Sequence, residues 1–153
     1  MDALTLALSL QTVIAADAAV ADFCRVRYGT RPTIYVGVDE ADPPPADSYP
    51  LVAVYDFLIA GGGTSASHIT YDISMACGVM NRSVQRDDGA KTIFYTGLIE
   101  AELLRDLVFS ALRTGHFGKL TMKDGNSGQA MAYPLFVSGM VVSIETPNLR
   151  TRP

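Results

Sequence analysis

Histidine is the residue type best suited to acid–base chemistry near neutral pH, and the sequence contains two, His68 and His116. A zinc site needs three or four ligands and usually a close pair, whereas His68 and Cys77 would lie about 30 Å apart on one extended strand. A histidine that meets a distant serine or aspartate in space stays open, because catalytic triads assemble from separate parts of a chain. The sequence therefore predicts no metal and no cofactor, and it keeps a small hydrolase of unknown substrate as an alternative.

Two glycine-containing segments imitate motifs that bind phosphate or carry a nucleophile. The segment Gly61–Ser65 lacks the lysine of a phosphate loop, and a strand pattern follows it instead of a helix. In Gly125–Gly128 the serine has one flanking glycine of a nucleophile elbow, but Gln129 stands in the second glycine's place. We interpret both segments as turns between strands, and we predict no catalytic residue.

Four carboxylates are concentrated in the segment DEADPPPADSYP, namely Asp39, Glu40, Asp42 and Asp47. Three consecutive prolines exclude this segment from a helix or a sheet interior, so it is expected to be an exposed loop. The ligand spacing and central glycine of a calcium loop are absent. In an assembly of several copies, these carboxylates are candidates for facing a shared lumen or for docking a neighbour.

The composition excludes several classes of protein. With 153 residues, 48% apolar and 18% charged, the chain suits one folded domain. Its net charge of −4 argues against a broad basic face for DNA. The arginines Arg25, Arg27 and Arg31 are interpreted as solvated partners of a helix end. Cys24 and Cys77 lie in apolar segments, which favours two buried thiols over a disulfide.

The apolar N-terminal segment is expected to be a helix of the domain. No run reaches the roughly 18 uninterrupted apolar residues of a membrane helix. Leu4–Ala16 also lacks the basic start of a signal peptide, since the second residue is Asp2. We therefore expect an intracellular protein with no membrane partner.

Apolar spacing predicts two helices, one from Leu4 to Phe23 with a break near Ala16-Asp17, and one over Glu100–Arg113. Gly29 is expected to stop the first in a left-handed conformation. Four β-rich runs predict strands at Thr33–Val38, Leu51–Ile59, Gly118–Lys123 and Tyr133–Glu145. A turn is predicted at Arg86–Lys91, followed by a short strand or helix lead-in at Thr92–Thr96.

The clearest pattern is a long alternation within Ser67–Asn81. Odd-numbered residues from Ile69 to Val79 are apolar and predict a core face. The even-numbered residues between them are small or polar, and they are a candidate surface for oligomer or partner contact: Thr70, Asp72, Ser74 and Ala76. The strand exceeds the usual five or six residues. It is expected to pair with Leu51–Ile59 in a hairpin and to offer an edge to a neighbour.

These elements predict one α+β domain over residues 1–146 and a C-terminal arm over 147–153. The expected sheet is mostly antiparallel, with about four to six strands including the long hairpin. Two helices are expected to pack on one face of it.

The order of elements resembles a known family. An alanine-rich helix ends in an RxxxG turn at Arg25–Gly29, and a proline-rich loop closes on a strand beginning Tyr49–Val52. The long alternating strand follows, then the helix EAELLRDLVFSAL and a closing hairpin. This order is similar to that of the tail terminator or tail-completion proteins of long-tailed bacteriophages, with head–tail neck proteins as close neighbours.

The resemblance implies a structural virion protein without catalytic residues. Its copies would form a ring, a homo-hexamer, that caps the tail tube and joins it to the connector or neck protein of the head. DNA would pass through the lumen only as cargo, and the protein would reside in the virion tail or neck after assembly in the host cytoplasm. The long acidic proline loop departs from the family pattern.

Three alternatives to a tail terminator remain at the level of sequence. The first is a head–tail connector, neck or minor tail protein. The second is the small hydrolase that would use His68 or His116. The third is a monomeric binding module whose sheet edge receives a partner strand.

Overall fold

The computed structural model describes residues 2–62, 66–127 and 132–147, which form a mixed α+β fold as the sequence predicts. The α-helices are α1 (Ala3–Ala16), α2 (Ala18–Tyr28) and α3 (Thr96–Arg113), and a 3₁₀ turn covers Ala46–Ser48. The strands are β1 (Thr33–Val36), β2 (Leu51–Gly61), β3 (His68–Met80), β4 (Val84–Asp87), β5 (Thr92–Tyr95), β6 (Lys119–Ser127) and β7 (Leu135–Pro147).

Five of these strands form the main sheet, in the order β1-β2-β3-β7-β6. Strands β1 and β2 are parallel, and every other neighbouring pair is antiparallel. The predicted hairpin of β2 and β3 is confirmed, with Val52 opposite Cys77. Strands β4 and β5 form a separate two-stranded hairpin.

The long strand β3 lies in the middle of the sheet. Its whole length pairs with β7, from His68 opposite Pro147 to Met80 opposite Leu135, and its other edge pairs with β2. The expectation that this strand offers a free edge to a neighbour is therefore wrong, because two strands of the same chain occupy both edges. The outermost strands of the described sheet are β1 and β6.

The predicted break in the first helix is confirmed at Asp17. Helices α1 and α2 meet there at a bend of 58°. The carboxylate of Asp17 accepts the backbone N–H of Val20 at 2.9 Å, which caps the N-terminus of α2. Gly29 closes α2 with φ 75°, in the left-handed conformation expected of it.

Helix α3 starts at Thr96, four residues before the predicted Glu100, and no side chain caps it. Its first turn is fixed by packing: a Cβ at Gly97 would lie 2.3 Å from the Phe136 ring. Glycine is therefore required where the helix meets β7, and the sequence gives no cap signal there.

The helices cover one face of the main sheet, and the core lies between the two layers. Fully buried side chains come from α1, α3 and the odd-numbered face of β3: Leu6, Leu10, Ile14, Leu104, Val108, Ile73 and Met75. Cys24 and Cys77 are buried free thiols in this core, as predicted.

Several predicted boundaries shift at turns and at the C-terminus. Strand β6 runs to Ser127, so the predicted turn is strand over Asp124–Ser127, and residues 128–131 lie outside the described part. Strand β7 extends to Pro147, the first residue assigned to the arm, while residues 148–153 lie outside the described part. Most of the glycine-rich turn, 63–65, also lies outside it.

Candidate functional site

The face of the main sheet opposite the helices carries the predicted partner surface. Thr70, Asp72, Ser74 and Ala76 do share this face, as their alternation predicts, but three of them are half-buried and Asp72 is only 6% exposed. The expectation of an exposed contact surface is therefore wrong for Asp72. The reason is the central position of β3, where side chains from both neighbouring strands cover it.

Asp72 has a structural partner instead. Lys123 on β6 donates a hydrogen bond from Nζ to the Asp72 carboxylate, across the intervening strand β7. This bond, together with one from Ser143, holds the pKa of Asp72 below its usual range against the opposing effect of burial. The pair stabilises the sheet, and it leaves Asp72 unavailable to a partner.

The acidic loop connects β1 to β2 and passes over the open face of the sheet. Parallel neighbours need a crossover of a dozen or more residues, and here residues 37–50 supply it with one 3₁₀ turn and no α-helix. The four carboxylates Asp39, Glu40, Asp42 and Asp47 are all exposed. Asp39 accepts the backbone N–H of Ala41 at 2.9 Å, which makes a local turn.

A cavity of about 240 Å³ lies between this loop and the open face of the sheet. Tyr49 closes one side by packing directly on Gly78, where a Cβ would lie 2.7 Å from its ring. The lining is mostly apolar and comes from the loop and from β2, β3 and β7: Val38, Glu40, Pro44, Tyr49, Leu51, Ala53, Tyr55, Ala76, Gly78 and Val137. Sequence reasoning missed this cavity, because the loop's path over the sheet has no local signal.

The hairpin of β4 and β5 is the second feature that sequence reasoning missed. The turn at Arg86–Lys91 and a short strand or helix lead-in at Thr92–Thr96 were predicted, but β4 was not, and β4 occupies the first two residues of that turn. Ile93 and Phe94 are 51% and 41% exposed. The available signal was the turn pair Asp88-Gly89 standing between Val84 and the β-prone run Ile93–Tyr95.

An aromatic cluster fixes the base of this hairpin. The ring of Tyr95 lies 5.6 Å from that of Tyr133 and 6.2 Å from that of Phe136. Phe136 is buried and belongs to the helix-covered face of β7. The hairpin is therefore anchored at its base on the helix side, while the rest of its apolar surface faces solvent.

The two histidines do not form a catalytic arrangement with described residues. His68 Nδ1 lies 2.9 Å from Ser67 Oγ, but the two are exposed chain neighbours at the start of β3, and His68 lines none of the cavities described. His116 lines an open groove with Ser9 and Thr12. Both of these hydroxyls donate to backbone carbonyls, of Thr5 and Leu8, so neither proton is directed at the imidazole.

A half-buried polar cluster joins α2 to α3. The Glu100 carboxylate accepts hydrogen bonds from the Tyr28 hydroxyl and from Asn81 Nδ2, the latter at 2.9 Å, and Arg27 Nε lies 3.4 Å from its other oxygen. Burial, followed by the bond to Glu100, raises the pKa of Tyr28. Arg27 of the predicted basic cluster thus has a structural role, and Arg25 pairs with Asp22 on the surface at 3.8 Å.

The described residues contain neither a metal-binding cluster nor a single membrane-spanning helix. No group of three or more His, Cys, Asp or Glu side chains there is placed to hold a metal ion. No single helix there has the length and apolar composition to cross a membrane, although the bent pair of α1 and α2 meets both criteria jointly.

Neither the family models nor the curated proteins gave a match to this chain.

Proposed function

We propose that the protein is a structural virion protein, a tail terminator whose copies form a ring that caps the tail tube and joins it to the head or neck. The family resemblance in the order of elements supports the class of protein. The exposed hairpin of β4 and β5 carries the proposal at the level of structure.

Two strands alone are marginally stable in water and need a packing partner. In this hairpin the four residues of β5 are all exposed, although three of them are the large apolar side chains Ile93, Phe94 and Tyr95. Only the base of the hairpin packs against the rest of the chain, where the Tyr95 ring contacts Tyr133 and Phe136. Exposed apolar surface on a projecting element is typical of a protein interface, and a neighbouring subunit would supply the missing partner.

The open side of the sheet supports assembly in a second way. Its loop-covered cavity and the outer edges of β1 and β6 leave surface on which another chain can pack. A head–tail connector, neck or minor tail protein would need the same surfaces, so these alternatives share the structural support.

The test is native mass spectrometry and negative-stain electron microscopy of the purified protein across a range of concentrations, with and without isolated tail tubes. We expect a closed ring, of six copies by the resemblance, either alone or on the tube. Immunogold labelling of whole particles should then mark the junction of head and tail. A protein that stays monomeric in both conditions contradicts the proposal.

A further inference from the structure

The two faces of the β4–β5 hairpin differ in charge. Arg86 stands opposite Ile93, which places both on one face, whereas Gln85 stands opposite Phe94 on the other. Asp87 is on the same face as Phe94. The Ile93 face therefore presents an exposed apolar side chain beside a cation, and Arg86 has no ion pair among the described residues.

The cavity under the acidic loop has the opposite character. Its volume of about 240 Å³ is below the roughly 300–1,000 Å³ typical of small-molecule sites, so it suits a protein side chain better. Glu40 is the one acidic residue in a lining that is otherwise apolar or tyrosine. Glu40 is exposed and, within the described ranges, forms no ion pair.

We propose that Ile93 of one copy inserts into the loop-covered cavity of a neighbouring copy, with Arg86 beside the neighbour's Glu40. The inference rests on the proposed function, since the partner is a second copy of this chain. In this contact the Ile93 side chain lies against the apolar lining of the cavity, and the Arg86 guanidinium lies beside the Glu40 carboxylate. The Phe94 face is excluded as the inserting one, because it would bring Asp87 toward an acidic loop.

The anchoring of the hairpin makes this a contact between copies. Tyr95 fixes the hairpin through Phe136 on the helix-covered side of the sheet, whereas the cavity opens on the opposite side. The inserting and receiving surfaces are different patches, so each copy can give one contact and receive another. Such head-to-tail contacts generate a ring when the rotation closes.

The first experiment measures self-association of charge-reversal variants by sedimentation velocity. Arg86→Glu and Glu40→Arg each place like charges together and should weaken association by at least about tenfold. The double variant restores opposite charges and should recover most of the association. Asp47→Arg, in the same loop but outside the cavity lining, and Gln85→Ser, on the other hairpin face, are matched controls and should stay near wild type.

The outcomes separate this contact from the ring itself. If wild type assembles and the single reversals assemble equally well, the inserted contact is overturned while the proposed function stands. Failure of the double variant to recover also overturns the pairing. A wild type that stays monomeric with tail tubes present overturns both. All the substituted residues are exposed, and circular dichroism checks that each variant is folded.

A second experiment uses cysteines placed on the two surfaces. Ile93→Cys and Val38→Cys are made in separate proteins, since Val38 lines the cavity and is 38% exposed. Mild oxidation should link a mixture of the two, whereas a mixture with Phe94→Cys in place of Ile93→Cys should not link. Linkage that is equal in both mixtures, or absent from both, overturns the insertion.

The native thiols do not interfere with this assay. Burial raises the pKa of Cys24 to about 11 and that of Cys77 to about 12. Neither thiol is appreciably ionised near neutral pH, and neither is accessible in the folded protein.

Discussion

Asp72 shows how the position of a strand changes the role of a residue. Its place in the alternation predicts a polar side chain facing water or a partner. In the folded chain it is buried and bonded to Lys123 on β6. A carboxylate in this setting acts as a link across the sheet, and its removal leaves a buried position without its strongest interaction.

The substitution Asp72→Asn should lower the free energy of unfolding at pH 7 by about 1–3 kcal/mol, because it replaces a charge-assisted hydrogen bond with a neutral one. The pKa of Asp72 is lowered in the folded state, so its contribution is complete above the unfolded pKa of about 3.9. The contribution is lost as pH falls through the folded pKa. Urea unfolding from pH 7 to pH 2.5 should therefore show wild type and variant converging at the acid end.

Asp56→Asn is the control, since Asp56 lies on the same open face but is exposed. We expect a change within about 0.5 kcal/mol and no convergence with pH. A constant difference between wild type and Asp72→Asn across the pH range would contradict the role given to the carboxylate.

At the scale of elements, the junction of α1 and α2 depends on one side chain. Asp17 ends α1, bends the chain and caps α2 through its bond to the Val20 N–H. The two helices thereby reach different parts of the core, α1 with Leu10 and α2 with Val20.

Asp17→Ala should destabilise the protein by about 0.5–2 kcal/mol through loss of the cap, measured by urea unfolding. Asp22→Ala is the matched control, because its exposed ion pair with Arg25 should contribute less than about 1 kcal/mol. Equal effects of the two substitutions would show that the cap does not hold the junction.

Local patterns predicted most elements of this fold, because their signals lie within a few residues. The break at Asp17, the stop at Gly29 and the hairpin of β2 and β3 are examples. The central position of β3 was not predictable in this way, since it depends on pairing with β7, some sixty residues later. The cavity forms only when β3 pairs with β7 and the acidic loop crosses the sheet. Patterns within a few residues do not encode either feature, so they could not predict the candidate site.

At the scale of the whole molecule, the net charge determines how the protein interacts with DNA. The chain has a net charge of −4, and its acidic loop adds four exposed carboxylates to the open side of the sheet. Proteins that hold DNA without sequence preference use clustered lysine and arginine to displace counterions. A ring of acidic copies would instead let DNA slide past.

We therefore expect no detectable binding of double-stranded DNA by fluorescence anisotropy at about 150 mM salt, at protein concentrations up to about 100 µM. Lowering the salt to about 50 mM should not reveal binding, because counterion release requires cationic contacts. Affinity that rises steeply at low salt would contradict the proposal that DNA is only passing cargo.

The crossover between β1 and β2 has a consequence for how this chain tolerates insertions and deletions. Parallel pairing sets a minimum of about a dozen residues for residues 37–50, so deletions there would break the register of the sheet edge. Lengthening is far less costly, since doubling a flexible loop adds only about 0.6 kcal/mol of closure entropy. An insertion between Asp42 and Asp47 should thus leave the chain folded while disturbing the cavity that Pro44 lines, whereas trimmed versions should fail to fold.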